Sequence, residues 1–161
     1  MKKISVGLRL GTMLLDHLII CFIGIPLLII SDFAKSSDGI FASISPYSMM
    51  PLFVIYFCKD CIGGRSPAKR ILKLAVVSYN SDSAANPFRS LVRDLFILIW
   101  PIEVLVALFN QERRIGDQVA GTRLTYYNPG NTQRLNILEI VGVILIATAF
   151  TYVLIRLIDS F

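Results

Sequence analysis

Apolar residues along this chain fall into four blocks separated by polar, mostly basic stretches. Crossing a hydrocarbon core of about 30 Å as a helix takes roughly 20 mostly apolar residues. The first block, about Val6 to Ile30, reaches that length and is broken only by Arg9, Asp16 and His17. The second, about Ile40 to Phe57, contains Pro46, Pro51 and three serines. It predicts a bent span, since neighbouring side chains can replace the backbone bond that proline removes. The third, Leu95 to Phe109, would make a helix of only about 22 Å and has Pro101 and Glu103 in its middle. The fourth, Ile137 to Ile158, is again long enough to span.

Two stretches depart from this pattern. Leu74 to Tyr79 (LAVVSY) and Thr122 to Tyr127 (TRLTYY) are rich in β-branched and aromatic residues and end at turn formers. They predict short strands, which can pair only if both lie on one face of the membrane.

The charges orient the blocks. Lys2, Lys3 and Arg9 stand at the start with no acid among them, whereas the stretch from Ser31 to Gly39 carries Asp32, Lys35 and Asp38. The positive-inside rule therefore predicts a cytosolic N-terminus and an external first loop. Cys58 to Asp94 holds seven cations against three acids, and Asn110 to Asn136 again carries more cations than acids. Two basic stretches thus flank the short third block. A span there would push one of them outside, so a re-entrant hairpin turning at Pro101 is the expected form, with the last helix carrying the C-terminus outward. Lys2 and Lys3 resemble the start of a signal peptide, but no small-x-small cleavage site follows and Asp16 lies within the apolar run, so the segment is expected to stay as an anchor.

Composition agrees. Of 161 residues, 55% are hydrophobic and 17% charged, with mean hydropathy +0.66. A soluble domain carries about 25% charged residues, so ordinary soluble enzymes and disordered tails are excluded. The net charge of +5 is explained by basic loops against anionic headgroups, and no interleaving of aromatic and basic residues points to nucleic acid. Cys58 and Cys61 form C-x-x-C, a redox pair or half a metal site in other contexts. With one His and no second pair, unpaired reduced thiols are expected, with no metal and no cofactor.

Asp16 is the most informative residue, because a carboxylate roughly 10 Å into a membrane helix needs a partner or a proton. It is either an ion or proton site or one half of a structural ion pair. His17 points about 100° away around the helix and reads as an interhelical hydrogen-bonder. Glu103 and Glu139 read as interfacial. Gly7 and Gly11 form G-x-x-x-G, expected to serve close packing within the chain. No nucleophile with a base, no H-E-x-x-H and no phosphate loop occurs, so no enzymatic activity is expected.

The arrangement resembles the RDD family of small bacterial membrane proteins, named for one arginine and two aspartates. Those match Arg9 and Asp16 in LRLGTMLLD and Asp117 in RRIGDQVAGT. Gly64 to Leu72 (GRSPAKRIL) is similar to the family's G-x-T/S-P-G-K stretch, with Ala68 in place of glycine. Pro87, Arg89 and Leu91-x-Arg93 are similar to a further segment. The match by motif covers about residues 5 to 127. It implies a membrane domain and, as suggested for that family, a transport role such as sodium/proton exchange.

The expected fold is therefore an all-α integral membrane protein of the bacterial inner membrane, multi-pass, with three transmembrane helices, a re-entrant hairpin and a small cytosolic basic layer with a strand pair. An RDD-like domain over 1–127, a linker over 128–135 and an additional helix over 136–161 are expected. Two functions remain open: an ion-handling module with Asp16 at its centre, or a non-catalytic scaffold that binds lipid and a protein partner or a second copy. The first needs Asp16 reachable by water; the second needs it occupied by a cation of the same chain. Helical spacing sets Arg9 about 10.5 Å from Asp16, so a direct bond is not expected. Arg9 is expected to pair with Asp117, and Asp16 with Arg93 or a proton. Arg65, Lys69, Arg70 and Lys73 are expected to hold anionic lipid headgroups.

Overall fold

The computed structural model describes residues 4–33, 46–109, 113–131 and 136–160. Helix α1 (Val6–Phe33) follows Ser5, whose hydroxyl accepts from Leu8 N at its start. Arg9, Thr12, Asp16, Ile20, Gly24 and Leu28 are buried while Leu14, Phe22, Ile23 and Ile30 are exposed, so α1 turns one narrow stripe inward at three- to four-residue spacing. The last helix, α7 (Ile137–Asp159), does the same with Val143, Ala147, Thr151 and Ile155. Among the described residues these are the two helices long and apolar enough to cross a membrane.

The second block is only partly described, because residues 40–45 fall outside the described part. A 3₁₀ turn over Pro46–Met49 leads into α2 (Met50–Cys58). Pro51 stands in the first turn of α2, where its missing N–H costs little. Phe57 of α2 packs with Leu91, Val143 and Ala147, which ties α2 to α7.

Beyond α2 come α3 (Pro67–Ile71), β1 (Leu74–Ser78), α4 (Pro87–Leu95), a 3₁₀ turn (Phe96–Ile99), α5 (Trp100–Phe109), α6 (Ile115–Val119) and β2 (Thr122–Tyr126). The two expected strands pair antiparallel, Leu74 opposite Tyr126 through Ser78 opposite Thr122. The second edge of β1 is partly closed by Val76 N donating to Gly64 O and Ala85 N donating to Val76 O. Gly64 has φ +67, and a Cβ there would lie 2.4 Å from Val76 O, so only glycine fits this approach. Leu74, Val76, Ala85 and Leu124 form a small core that receives Ile4 and Leu8 from the start of α1.

Between the strands, α4, the 3₁₀ turn and α5 follow one another directly, and α6 packs back against them. A Cβ on Gly116 would lie 2.6 Å from Arg93 O and 2.8 Å from Glu103 Oε1, so both residues meet α6.

A closed charge network as the candidate functional site

The short helix α3 explains the fate of Asp16. Ser66 is its N-cap and Pro67 its first residue, which leaves Ala68 N as a free donor facing outward from the helix end. Asp16 takes it: Ala68 N donates to Oδ1 at 3.1 Å and Ser66 Oγ donates to Oδ2 at 2.7 Å. Lys69, the next residue in the same turn, places Nζ 3.3 Å from the same Oδ2. Asp16 is 2% exposed. Its partner is thus Lys69 and not the expected Arg93, because α3 lies against α1 and delivers its own cation there.

Lys69 also joins Asp60, with Nζ at 2.9 and 2.8 Å from the two carboxylate oxygens. Asp60 further accepts from Ser66 N at 2.7 Å and from Arg93 Nη1 at 2.7 Å. Arg93, at the last turn of α4, reaches the other way with Nε 2.6 Å from Asp117 Oδ1. Thr122 Oγ1 donates to that same oxygen at 3.3 Å. From Asp117 the network passes to Arg114 (3.7 Å) and on to Glu103 Oε2 (3.2 Å), while Gly116 N donates to Glu103 Oε1 at 2.8 Å. Lys59 lies 3.4 Å from Asp94 at the edge of the cluster. Arg9, Lys59, Lys69, Arg93 and Arg114 thus stand against Asp16, Asp60, Asp94, Glu103 and Asp117, all with buried side chains, and the formal charges cancel.

Cancellation is what makes such burial affordable, since each lone buried ion carries a desolvation penalty of several kcal/mol. Burial works against the charged form of Asp60, but Lys69 and then Arg93 outweigh it and hold its carboxyl below the usual carboxylate range. Burial likewise opposes ionisation of Asp117, and Arg93, Arg114 and Arg9 together overcome it. Arg93 is held cationic by Asp117 and Asp60 in spite of its burial. Asp94 differs. Neither of its oxygens receives a hydrogen bond, and burial pushes its carboxyl up in spite of Lys59.

The motifs point to family. A family model of RDD matches residues 4–158. The chain belongs to the RDD family. The matched residues take in the last helix, which the motifs alone had left outside. No curated protein and no solved structure matches the chain. In this RDD protein the signature residues Arg9, Asp16 and Asp117 are all buried, and Asp16 meets Lys69 in place of the expected Arg93. Asp117 is hydrogen-bonded by Arg93 and Thr122, and Arg9 adds its charge to that site.

Other expectations need correction. Lys69 is 3% exposed and bound to carboxylates, so it is not a headgroup ligand. Arg65 is half-buried, donates to Leu74 O and stacks on Tyr127 with Cζ 3.7 Å from the ring centre. Arg70 and Lys73 remain exposed. Glu103 is not interfacial but 1% exposed, because Gly116 and Arg114 hold it inside. Among the described residues no neighbouring atom lies within 4 Å of a Cβ placed at Gly7 or Gly11, so these residues do not form the expected close packing there. His17 meets Tyr56 edge-on at 6.1 Å between ring centres and Cys21 on its own helix. Cys21, Cys58 and Cys61 carry free thiols, and among the described residues no group of His, Cys, Asp and Glu is arranged to hold a metal.

Sequence reading did not single out Asp60, Asp94, Arg114 or Ser66. Asp60 stands two residues beyond the apolar α2 and reads from sequence as one acid of a basic loop. The available signal was Ser66-Pro67, an N-cap and first-turn pair whose spare N–H groups call for an acid.

Proposed function

We propose that this RDD protein is a non-catalytic membrane scaffold, in which the signature residues lock a cytosolic layer onto the membrane helices. The observation that supports this most is the closure of Asp16, whose two oxygens are taken by Ser66, Ala68 and Lys69 of the same chain. Both oxygens already hold a donor of the same chain and the charge is matched by Lys69, which leaves a travelling cation little to gain. The layer carries β1 and β2, which lie before and after the third apolar block yet pair with each other. That pairing supports a re-entrant block with both flanks on one side. The positive-inside rule makes that side the cytosol of a bacterial inner membrane, with α1, the 40–58 segment and α7 as three spans. The scaffold holds anionic lipid and a protein partner or a second copy. The test is purification of the full chain in mild detergent together with reconstitution into vesicles. A stoichiometric partner chain and no proton or sodium flux above empty vesicles are expected. Flux that Asp16→Asn abolishes would overturn the reading.

A second reading, ion handling, is favoured by one observation. Asp94 is buried, with both oxygens lacking hydrogen bonds and its carboxyl pushed upward. If protons move through this chain, flux should fail in Asp94→Asn and survive Asp16→Asn.

A further inference from the structure

A groove of about 480 Å³ runs between α1 and α2, walled by Ile20, Ile23 and Leu28 on one side and Leu52 and Ile55 on the other, with Pro67 of α3 at one end. It belongs to no part of the charge network. From Ile20 to Leu28 it extends about 12 Å along α1. The groove opens sideways, since Ile23 and Ile55 are 61% and 59% exposed.

We propose that this groove holds one acyl chain of an anionic glycerophospholipid whose headgroup sits on Arg70. Pro67 lines the groove and Arg70, three residues further along α3, shares its exposed helix face, one turn beyond the lining. Arg70 Nε donates to Arg65 O at 3.4 Å and Nη2 to Ile62 O at 3.3 Å, which fixes the guanidinium and leaves further N–H donors for a phosphate. Lys73, exposed on the following segment, adds a second cation. Among the described residues the carboxylates behind α3, Asp16 and Asp60, are already engaged by Lys69, Ser66 and Arg93.

A membrane helix is a poorer occupant than an acyl chain. Close helix packing in lipid relies on small residues that let backbones approach. Here the walls are mostly branched aliphatics, with Tyr47, Ser48 and two prolines beside them, and the glycine on the wall, Gly24, is already met by Leu52, whose Cδ1 would clash with a Cβ at that position. A flexible chain can follow such a surface. The proposal takes the orientation of α3 toward the cytosolic leaflet from the scaffold reading, but not the absence of flux, so the vesicle assay and the lipid assay can fail independently.

The test is native mass spectrometry of the full chain with phosphatidylglycerol or phosphatidylcholine, alongside photocrosslinking with a diazirine-acyl phosphatidylglycerol. Wild type should retain one phosphatidylglycerol in preference to phosphatidylcholine. Arg70→Gln should lower phosphatidylglycerol retention roughly fivefold, as expected for one cation at an anionic headgroup, and leave phosphatidylcholine unchanged. Ile55→Trp, which fills the groove, should reduce both. Crosslinks in wild type should fall on residues 19–28 and 51–55, a readout that needs no variant to fold. Equal retention of the two lipids by wild type, crosslinks confined to other helices, or a second protein chain occupying the groove would each overturn the proposal.

Discussion

Ser66 Oγ donates to Asp16 Oδ2 at 2.7 Å across fifty residues of sequence, and this bond fixes α3 to the middle of α1. The same hydroxyl accepts from Lys69 N and Lys69 Nζ, so one serine caps α3, orients its lysine and supports the carboxylate. A residue that elsewhere would only end a helix here joins the polar layer to a membrane helix.

Removing one side of the Asp16–Lys69 pair should therefore be severe. Lys69→Met removes the cation beside Asp16 and leaves Asp60 with Arg93 alone, and breaking a buried pair from one side costs about 3 to 5 kcal/mol. The double variant Asp16→Asn with Lys69→Met should be less destabilised than the sum of its singles, because no lone Asp16 charge remains. Unfolding in mild detergent, followed by circular dichroism, checks both. Additive losses would place Asp16 outside the network.

The elements that were legible from sequence are those set by local pattern. α1 and α7 follow from apolar length, and β1 and β2 from β-branched runs bounded by turn formers. That the two strands pair was foreseeable only as a consequence of topology. The partner of Asp16 was not legible, because it depends on which cation the short helix α3 delivers. Lys69 reads as one of a basic run from Arg65 to Lys73, and only the α3 turn, begun by Ser66 and Pro67, turns it inward while leaving Arg70 outside. Glu103 reads as interfacial for a similar reason: its burial rests on Gly116, thirteen residues away, coming close enough to donate its N–H.

The pH dependence of stability should have two opposite arms. Asp60 and Asp117 are held below their unfolded value, so their contribution is full above about pH 4 and is lost as pH falls through the range beneath it. Asp94 is raised, so it binds its proton more tightly in the folded protein, and its contribution is lost as pH rises through its folded value. Denaturation across pH should show an acid-side fall in wild type, and Asp94→Asn should flatten the decline on its rising side. An unchanged profile in Asp94→Asn would show that Asp94 titrates normally.

Pairing of β1 with β2 makes a topological demand that can be read directly. In a background with Cys21, Cys58 and Cys61 replaced, single cysteines at Ser81 and at Asn131 should be labelled by impermeant reagent from the same side of the membrane, and from the cytosolic side if the charge distribution sets the orientation. Labelling of the two from opposite sides would require the third apolar block to cross, and the sheet could not form.

The last prediction separates proximity from pairing at Arg9. Arg9 and Asp117 are both buried and electrostatically linked, which would suggest that exchanging their charges restores what either single change removes. Asp117, however, also receives Arg93 at 2.6 Å and lies 3.7 Å from Arg114. An arginine at 117 would face two cations that the exchange leaves in place, and like charges at such distances in a buried site repel strongly. Arg9→Asp with Asp117→Arg is therefore expected to fold no better than Asp117→Arg alone. Arg93→Gln, which frees Asp60 and Asp117 at once, should be more damaging than Arg9→Gln. Folded yield by size exclusion in detergent ranks these variants, and full recovery of the exchange variant would make Arg9 the principal partner of Asp117 in place of Arg93.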